Sequence, residues 1–254
     1  MDHWPMMNEL TLIGIGTGNP DHLTFQGAQA IRDADLILIP RKGSDKSDLA
    51  DLRLAICDRV LGDKQPRIVE FDLPKRDTDA AYLDGVDTWH DAIAVAWQSA
   101  AQTNMPDAQN VALLIWGDPS LYDSSLRIAA RLSPKPKLTV IPGITSLQAL
   151  TAAHAIPIND IGAPFLVTTG RQLRDKGWPE NVETIAIMLD GSCAFTTLDP
   201  DKYTIWWGAY VAMPNQILAH GRLKDVANEI VQTRARARAY HGWIMDIYIL
   251  RRIV

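Results

Sequence analysis

The residues best placed to do chemistry are glycines set directly behind apolar runs. "LIGIGTGNPDHLT" (residues 12–24) holds Gly14, Gly16 and Gly18, followed by Asn19-Pro20-Asp21. "LLIWGDPSLYDS" puts Gly117-Asp118-Pro119 behind a second run, and "TVIPGITSLQAL" puts Pro142-Gly143 behind a third, with Thr145 and Ser146 opening a helix. Glycine lets backbone approach a ligand closely, and free N–H groups at helix starts bind a carboxylate or a ribose oxygen. The common nucleotide motifs fit poorly. A dinucleotide fingerprint needs a third glycine where Asn19 stands, and an acid ending the second strand, where Ile39-Pro40 stands. No Gly-Lys-Ser/Thr follows, so a phosphate-binding P-loop fails as well. A purely structural tight turn stays open for each motif taken alone.

The elements that must position these turns follow from apolar periodicity. Residues 10–15 read as a first strand, and Thr24 caps the helix "TFQGAQAIRDA" that leads to the strand "DLILIP". A polar loop, "RKGSDK", then turns helical, and "RIVEFDLP" is a strand stopped by Pro74. The next helix sets Tyr82, Val86, Trp89, Ile93, Ala96 and Trp97 on one face. His90 on that helix reads as structural. "VALLIWG" is a buried strand, "SSLRIAARL" a helix, "KLTVIPG" a strand and "TSLQALTAAHA" a helix. This alternation predicts a mostly parallel sheet, with ligands at the carboxyl ends of its strands.

After Ala155 the texture changes. "IPINDIGAP" looks like a domain edge, and beyond it come four strand candidates, "FLVTTG", "TIAIMLDG", "YTIWWGAYVA" and "WIMDIYIL", with fewer helices. The expectation is two α/β domains, residues 1–155 and 156–254. Trp206 and Trp207 should face opposite sides of their strand.

Composition narrows the class. The chain has 254 residues, 47% of them hydrophobic, and a net charge of −5, which argues against a general nucleic-acid binder. No apolar run is long enough to span a bilayer, and "MDHWPMMNEL" lacks the basic start and apolar stretch of a secretory signal. Cys57 and Cys193 show no metal-ligand spacing, so no metal is expected, and a reducing cytoplasm is.

Taken together and in order, the three turns resemble the tetrapyrrole methylase family, the class III S-adenosylmethionine (SAM) enzymes. Its first motif, G-x-G-P-G-D-P-x-L-L-T, aligns with Gly14 to Thr24 without a gap. Gly14, Gly16, Gly18, Pro20, Leu23 and Thr24 match, while Thr17, Asn19 and His22 replace Pro, Asp and Leu. "WGDPSLYDS" and "VIPGITS" match the second and third motifs. "TTGRQL", "MLDG", "WGAYVAMPNQIL", "HGWIMDIYILRR" and the "TWH" at residues 88–90 extend the resemblance along nearly the whole chain, towards the branch serving aerobic cobalamin biosynthesis.

The resemblance implies two α/β domains with SAM folded in the cleft between them, and a homodimer. It implies methylation of precorrin-5 at ring carbon 1, with the acetyl group there leaving as acetate to give precorrin-6A. SAM contacts are implied at Gly14, Gly16, Gly18, Trp116, Gly117, Asp118 and Leu121. Thr145, Ser146, Met188, Leu189, Asp190, Gly191, Val211 and Ala212 would complete the set. Some relatives carry an acid at the end of the second strand, proposed as a base; Pro40 stands there, so that role does not transfer. Replacement candidates are Asp118, Asp123, Asp190 and His154, none privileged by spacing, and His154 reads better as a core or interface histidine.

The macrocycle's many carboxylates call for cations. Arg171, Arg174 and Lys176 follow one strand, and Arg41 and Lys42 another; the alternative for each is a solvated loop charge. "RARARAYHGW" reads as a solvated helix face. Rival readings are a relative acting on another precorrin carbon, on ribosomal RNA or on diphthine, and a nucleotide- or corrinoid-binding module without turnover.

Overall fold

The computed structural model describes residues 7–41, 48–63, 65–74 and 82–253, with the side chains of Asp48 and of residues 82–84 excluded. Lys42 and the rest of the polar loop therefore lie outside the described residues. The chain divides into two compact units, Met1–Thr145 and Ser146–Val254.

The first unit is an open parallel sheet. β1 (Glu9–Gly14), β2 (Leu36–Arg41), β3 (Arg67–Asp72), β4 (Asn110–Ile115) and β5 (Lys137–Ile141) lie in the order β3-β2-β4-β1-β5, all parallel. Its inner strands read as unbroken apolar runs because both faces are covered. Leu10, Leu12, Leu36, Leu38, Val111 and Leu113 pack on one face against α3 (Tyr82–Asn104) and α4 (Ser125–Ala129). Ile13, Ile15, Ile37, Ile39, Ala112 and Leu114 pack on the other against α1 (Phe25–Asp33) and α2 (Asp48–Leu61). Thr24 caps α1 as expected, its hydroxyl accepting the Gly27 amide at 2.9 Å. Ile93 and Trp97 are buried on α3, but its inner face turns through His90 and Ala94 and leaves Ala96 half-buried.

The second unit begins with α5 (Ser146–His154), placed with the N-terminal domain on sequence. The correction is one of packing: Leu147, Ala149 and Leu150 of α5 lie against Ala186, Ile247 and Ile249 of the second sheet. That sheet comprises β6 (Phe165–Thr169), β7 (Thr184–Met188), β8 (Tyr203–Ala209), β9 (Ile217–Arg222) and β10 (Asp246–Arg252), in the order β6-β7-β10-β8-β9. β6 and β7 run parallel, while β10 is antiparallel to both β7 and β8. β6, β7 and β8 therefore end at the same edge. β9 is a fifth strand absent from the sequence reading; it pairs on one side only, and its "ILAHGR" is half-exposed. α6 (Gly170–Lys176) and α7 (Leu223–His241) complete the unit. Trp207 is buried, and Trp206 faces the other way under the Arg251 guanidinium, 5.4 Å from its ring centre. No helix among the described residues is long and apolar enough to cross a membrane.

Candidate active site

The three glycine turns of the first unit meet. Gly16 and Gly117 form an isolated antiparallel bridge, with N–H···O distances of 2.7 and 3.3 Å. A Cβ on Gly14 would lie 2.5 Å from the Gly143 nitrogen and 2.9 Å from the Gly117 oxygen. One on Gly143 would overlap that same oxygen and stand 2.7 Å from the Gly14 carbonyl carbon. Real side chains do not tolerate such contacts, so glycine is required because backbone meets backbone. The strand-end convergence expected of a ligand site in an open parallel sheet is therefore present.

Asp118 holds this junction closed. One carboxylate oxygen accepts the Ser120 amide and hydroxyl, and the other accepts the Gly143 amide at 2.9 Å. Burial pushes its titration up, but those hydrogen bonds outweigh it and hold the carboxyl below the ordinary range. A carboxylate with a lowered pKa and occupied lone pairs is a poor base. Leu121 donates its amide to the Asp118 carbonyl at 3.3 Å, and Trp116 packs at the rim of the adjacent core. Gly18 sits at φ 104°, a conformation that favours glycine.

Asp123 accepts the Ser125 amide at 2.6 Å and faces the charge of Arg53. Arg53 was missed on sequence, although it lies at helical spacing from the buried Ala50 and Cys57. Its guanidinium donates to the Leu114 carbonyl at 2.9 Å, just beyond the last β2–β4 pairing, Leu38 with Leu113. Burial lowers its titration to about 10, with Asp123 opposing the shift, so it stays charged at neutral pH. Arg41 is ion-paired with Glu70 on the neighbouring strand, so it is not an unpaired loop cation.

In the second unit, the loops after β7 and β8 carry backbone strain. Leu189, Cys193, Tyr210 and Ala212 have φ between 50 and 66° without being glycine. Such conformations persist where the surroundings over-determine them, and they cluster at ligand clamps. Leu189 and Ala212 belong to two implied SAM segments, Met188, Leu189, Asp190 and Gly191, and Val211 with Ala212; Cys193 and Tyr210 flank them. Leu189 is exposed, Val211 is buried on α5, and Ala212 donates its amide to Gln216 at 2.7 Å. Ser146 begins α5, while Thr145 closes the first unit.

Asp190 is buried and fully engaged. Its carboxylate accepts the Ser192 amide and hydroxyl, the Ala194 amide at 2.6 Å and the Tyr248 hydroxyl at 2.7 Å. Arg234 donates to the Asp190 carbonyl at 2.8 Å and to both oxygens of Asp246, at 2.9 and 3.2 Å. Trp207 also donates to Asp246. This corrects the solvated-face reading of "RARARAYHGW": Arg234 is 8% exposed, on the α7 face shared by Ile230 and Ala237. Burial raises the Asp246 titration, opposed by Arg234, while Tyr248 is driven far up by burial and by Asp190.

The remaining cations differ in setting. Arg174 reaches the Ser192 hydroxyl at 2.9 Å and Asp175 at 3.2 Å; Arg171 and Lys176 are exposed on α6. His154 Nε2 lies 3.0 Å from the Trp207 carbonyl, so that nitrogen carries the proton and donates. Burial keeps the His154 titration low despite this bond. The histidine is half-buried at the end of α5 and tied to the β8 backbone. Among the described residues no three His, Cys, Asp or Glu side chains are grouped to hold a metal ion.

The sequence model of the Tetrapyrrole (Corrin/Porphyrin) Methylases fits residues 9–227. A precorrin-6A synthase [deacetylating] from Sinorhizobium sp is 44% identical over 251 residues, covering 97% of this chain and 96% of the relative. A solved structure from Corynebacterium diphtheriae, described as a cobalamin synthesis related protein (CobF), superposes with TM-score 0.80 at 35% identity, covering 98% of this chain and 100% of the other. The uroporphyrin-III C-methyl transferase of Thermus thermophilus, solved with S-adenosylhomocysteine, shares the fold at 20% identity and TM-score 0.59, over 96% of this chain and 97% of that one.

Proposed function

Because the chain belongs to the tetrapyrrole (corrin/porphyrin) methylase family, we propose that it is a SAM-dependent C-methyltransferase of aerobic cobalamin biosynthesis. It methylates precorrin-5 at ring carbon 1 and releases the acetyl group there as acetate, giving precorrin-6A. The observation that carries this reading is 44% identity along 97% of the chain to a deacetylating precorrin-6A synthase. The Gly14–Gly117–Gly143 junction supports it physically, since it gathers three turns at the carboxyl ends of parallel strands, where ligands of open α/β sheets bind.

When bound, SAM supplies a methyl group activated by the sulfonium. Gly14, Gly16, Gly18, Trp116, Gly117, Asp118, Leu121 and Thr145 of the first unit are proposed to contact it, largely through backbone. Ser146, Met188, Leu189, Asp190, Gly191, Val211 and Ala212 of the second are proposed likewise. Asp118 and Asp190 then act by fixing their loops, which is what their hydrogen bonds equip them to do. Arg171, Arg174 and Lys176 are proposed to meet the carboxylates of the macrocycle, with Arg53 a further fixed cation in the first unit. We also propose that the protein acts in the cytoplasm as a homodimer, without a metal.

The test is direct. The purified chain should bind SAM at micromolar concentration and turn precorrin-5 into a methylated product with one acetate per turnover. No SAM binding at high micromolar concentration overturns every methylase reading. Binding without turnover of precorrin-5 favours another substrate or a carrier.

A further inference from the structure

Asp190 meets α6 in two ways, once by packing and once through a hydroxyl. Gly170, the first residue of α6, lies so close that a Cβ there would overlap the Asp190 carboxyl group. Thr169 caps the same helix start, its hydroxyl accepting the Gln172 amide at 3.3 Å. The Asp190 carboxylate is fixed in turn by the Ala194 amide and the Tyr248 hydroxyl, which share one of its oxygens. The other oxygen is left to Ser192, accepting its amide at 2.9 Å and its hydroxyl at 3.3 Å.

The direction of these hydrogen bonds follows from the groups that make them. An ionised carboxylate only accepts, and a guanidinium only donates. The single proton of the Ser192 hydroxyl therefore goes to Asp190, and its oxygen accepts from Arg174 Nη1 at 2.9 Å. Arg174 follows Gly170 by one helical turn, so both lie on the face of α6 that meets the Asp190 loop. On its other edge Arg174 donates from Nε to Asp175 at 3.2 Å. Two contacts thus hold a side chain that ordinarily keeps much rotamer freedom, and ordering it beforehand removes that cost from ligand binding. Nη2 has no partner among the described residues, and the side chain is 43% exposed. A cation held this way, with donors to spare, suits a carboxylate arriving from solvent.

Resting on the function proposed above, we infer that Ser192 is a positioning residue for substrate recognition: backed by Asp190, it holds the Arg174 guanidinium ready for a peripheral carboxylate of the tetrapyrrole. One carboxylate then serves two ligands. Asp190 lies within the segment proposed for SAM, and through Gly170 and Ser192 it also sets where α6 begins and where its cation stands. A peripheral carboxylate keeps its charge throughout deacetylation and methyl transfer. Its bond to Arg174 is therefore equally strong in the ground and transition states, and its loss falls on KM for the tetrapyrrole rather than on kcat.

The experiment compares wild type, Ser192→Ala, Ser192→Thr, Arg174→Ala and the Ser192→Ala, Arg174→Ala double variant. It reads KM and kcat for precorrin-5, SAM affinity by calorimetry, and fluorescence titration with uroporphyrin, a stable tetrapyrrole that also bears acetate and propionate groups. Arg174→Ala should raise KM roughly 10- to 100-fold, and Ser192→Ala about three- to tenfold. Ser192→Thr keeps the hydroxyl and should restore KM to within about twofold of wild type. The double variant should match Arg174→Ala to within about twofold, because Ser192 acts through that guanidinium. A wild-type KM in Ser192→Ala overturns the inference. So does a loss that appears equally in kcat or SAM affinity, or one that adds in full to Arg174→Ala, since either marks a merely structural loop. If wild type makes no product from precorrin-5, the functional reading falls by itself. The positioning role then stands if Ser192→Ala still weakens uroporphyrin binding, and falls if it does not.

Discussion

The glycine junction makes its sharpest prediction at Gly143→Ala. The new Cβ would overlap the Gly117 carbonyl oxygen and stand 2.7 and 2.8 Å from the carbonyl carbon and Cα of Gly14. Carbon contacts are most favourable at about 3.5–4.0 Å, so these backbones must part by roughly 1 Å. None of the three atoms belongs to a flexible side chain that could swing aside. The Asp118–Gly143 hydrogen bond, now 2.9 Å, stretches with them. Overpacking of this kind costs about 1–3 kcal/mol, and a lost charge-assisted hydrogen bond adds about 1.5–3 kcal/mol. Thermal unfolding should fall by roughly 5–24 °C, at about 2–4 °C per kcal/mol for a chain of this size. Displacing the Gly117 turn should also weaken SAM binding by about tenfold or more, equivalent to about 1.4 kcal/mol. Differential scanning calorimetry and isothermal titration read the two effects. A variant that melts with wild type and binds SAM unchanged would refute the claim that the three turns share one junction.

Gly191→Ala is the counterpart, because nothing lies within 4 Å of its added Cβ; it should leave the melting temperature unchanged yet lower SAM affinity if the cofactor approaches this backbone. Asp118→Asn turns an acceptor towards a donor and should cost about 1.5–3 kcal/mol at neutral pH. Its carboxyl titrates below the ordinary range in the folded protein, so its contribution is present above the unfolded aspartate value, near pH 4, and fades as pH falls through the folded one. Denaturant unfolding of wild type and variant should therefore converge on the acid side, and a constant gap down to the lowest pH would contradict this. Arg234→Leu strips the buried Asp246 of its cation and should destabilise by about 3–5 kcal/mol, seen as a lower urea midpoint; a near-neutral result would mean that the pair is not desolvated.

How much of this was legible beforehand depends on the range of the forces involved. The Thr24 cap, the apolar strands of the first sheet, the Pro74 stop and the three glycine turns are local events, set by neighbours a few residues away. They read correctly from sequence, as did the buried Ile93 and Trp97. β9 did not, because an edge strand paired on one side and half-exposed carries little apolar periodicity. Arg234 was misread because a charge on a helix face normally belongs to water; only Asp246, on a strand that follows the helix, makes its burial tolerable. α5 has the same apolar spacing whichever sheet receives it, so its allegiance to the second unit was undecidable from its own residues. The acids were equal as letters. Chain folding alone brought the Gly143 amide to Asp118 and the Tyr248 hydroxyl to Asp190, which occupies their lone pairs. Sequence by itself determined the family, the parallel α/β start and the places where backbone must come bare. Tertiary structure decided which charges are spoken for and which polar atoms, at Thr17 and His22, are not, because hydrogen-bond satisfaction depends on partners brought in from distant parts of the chain.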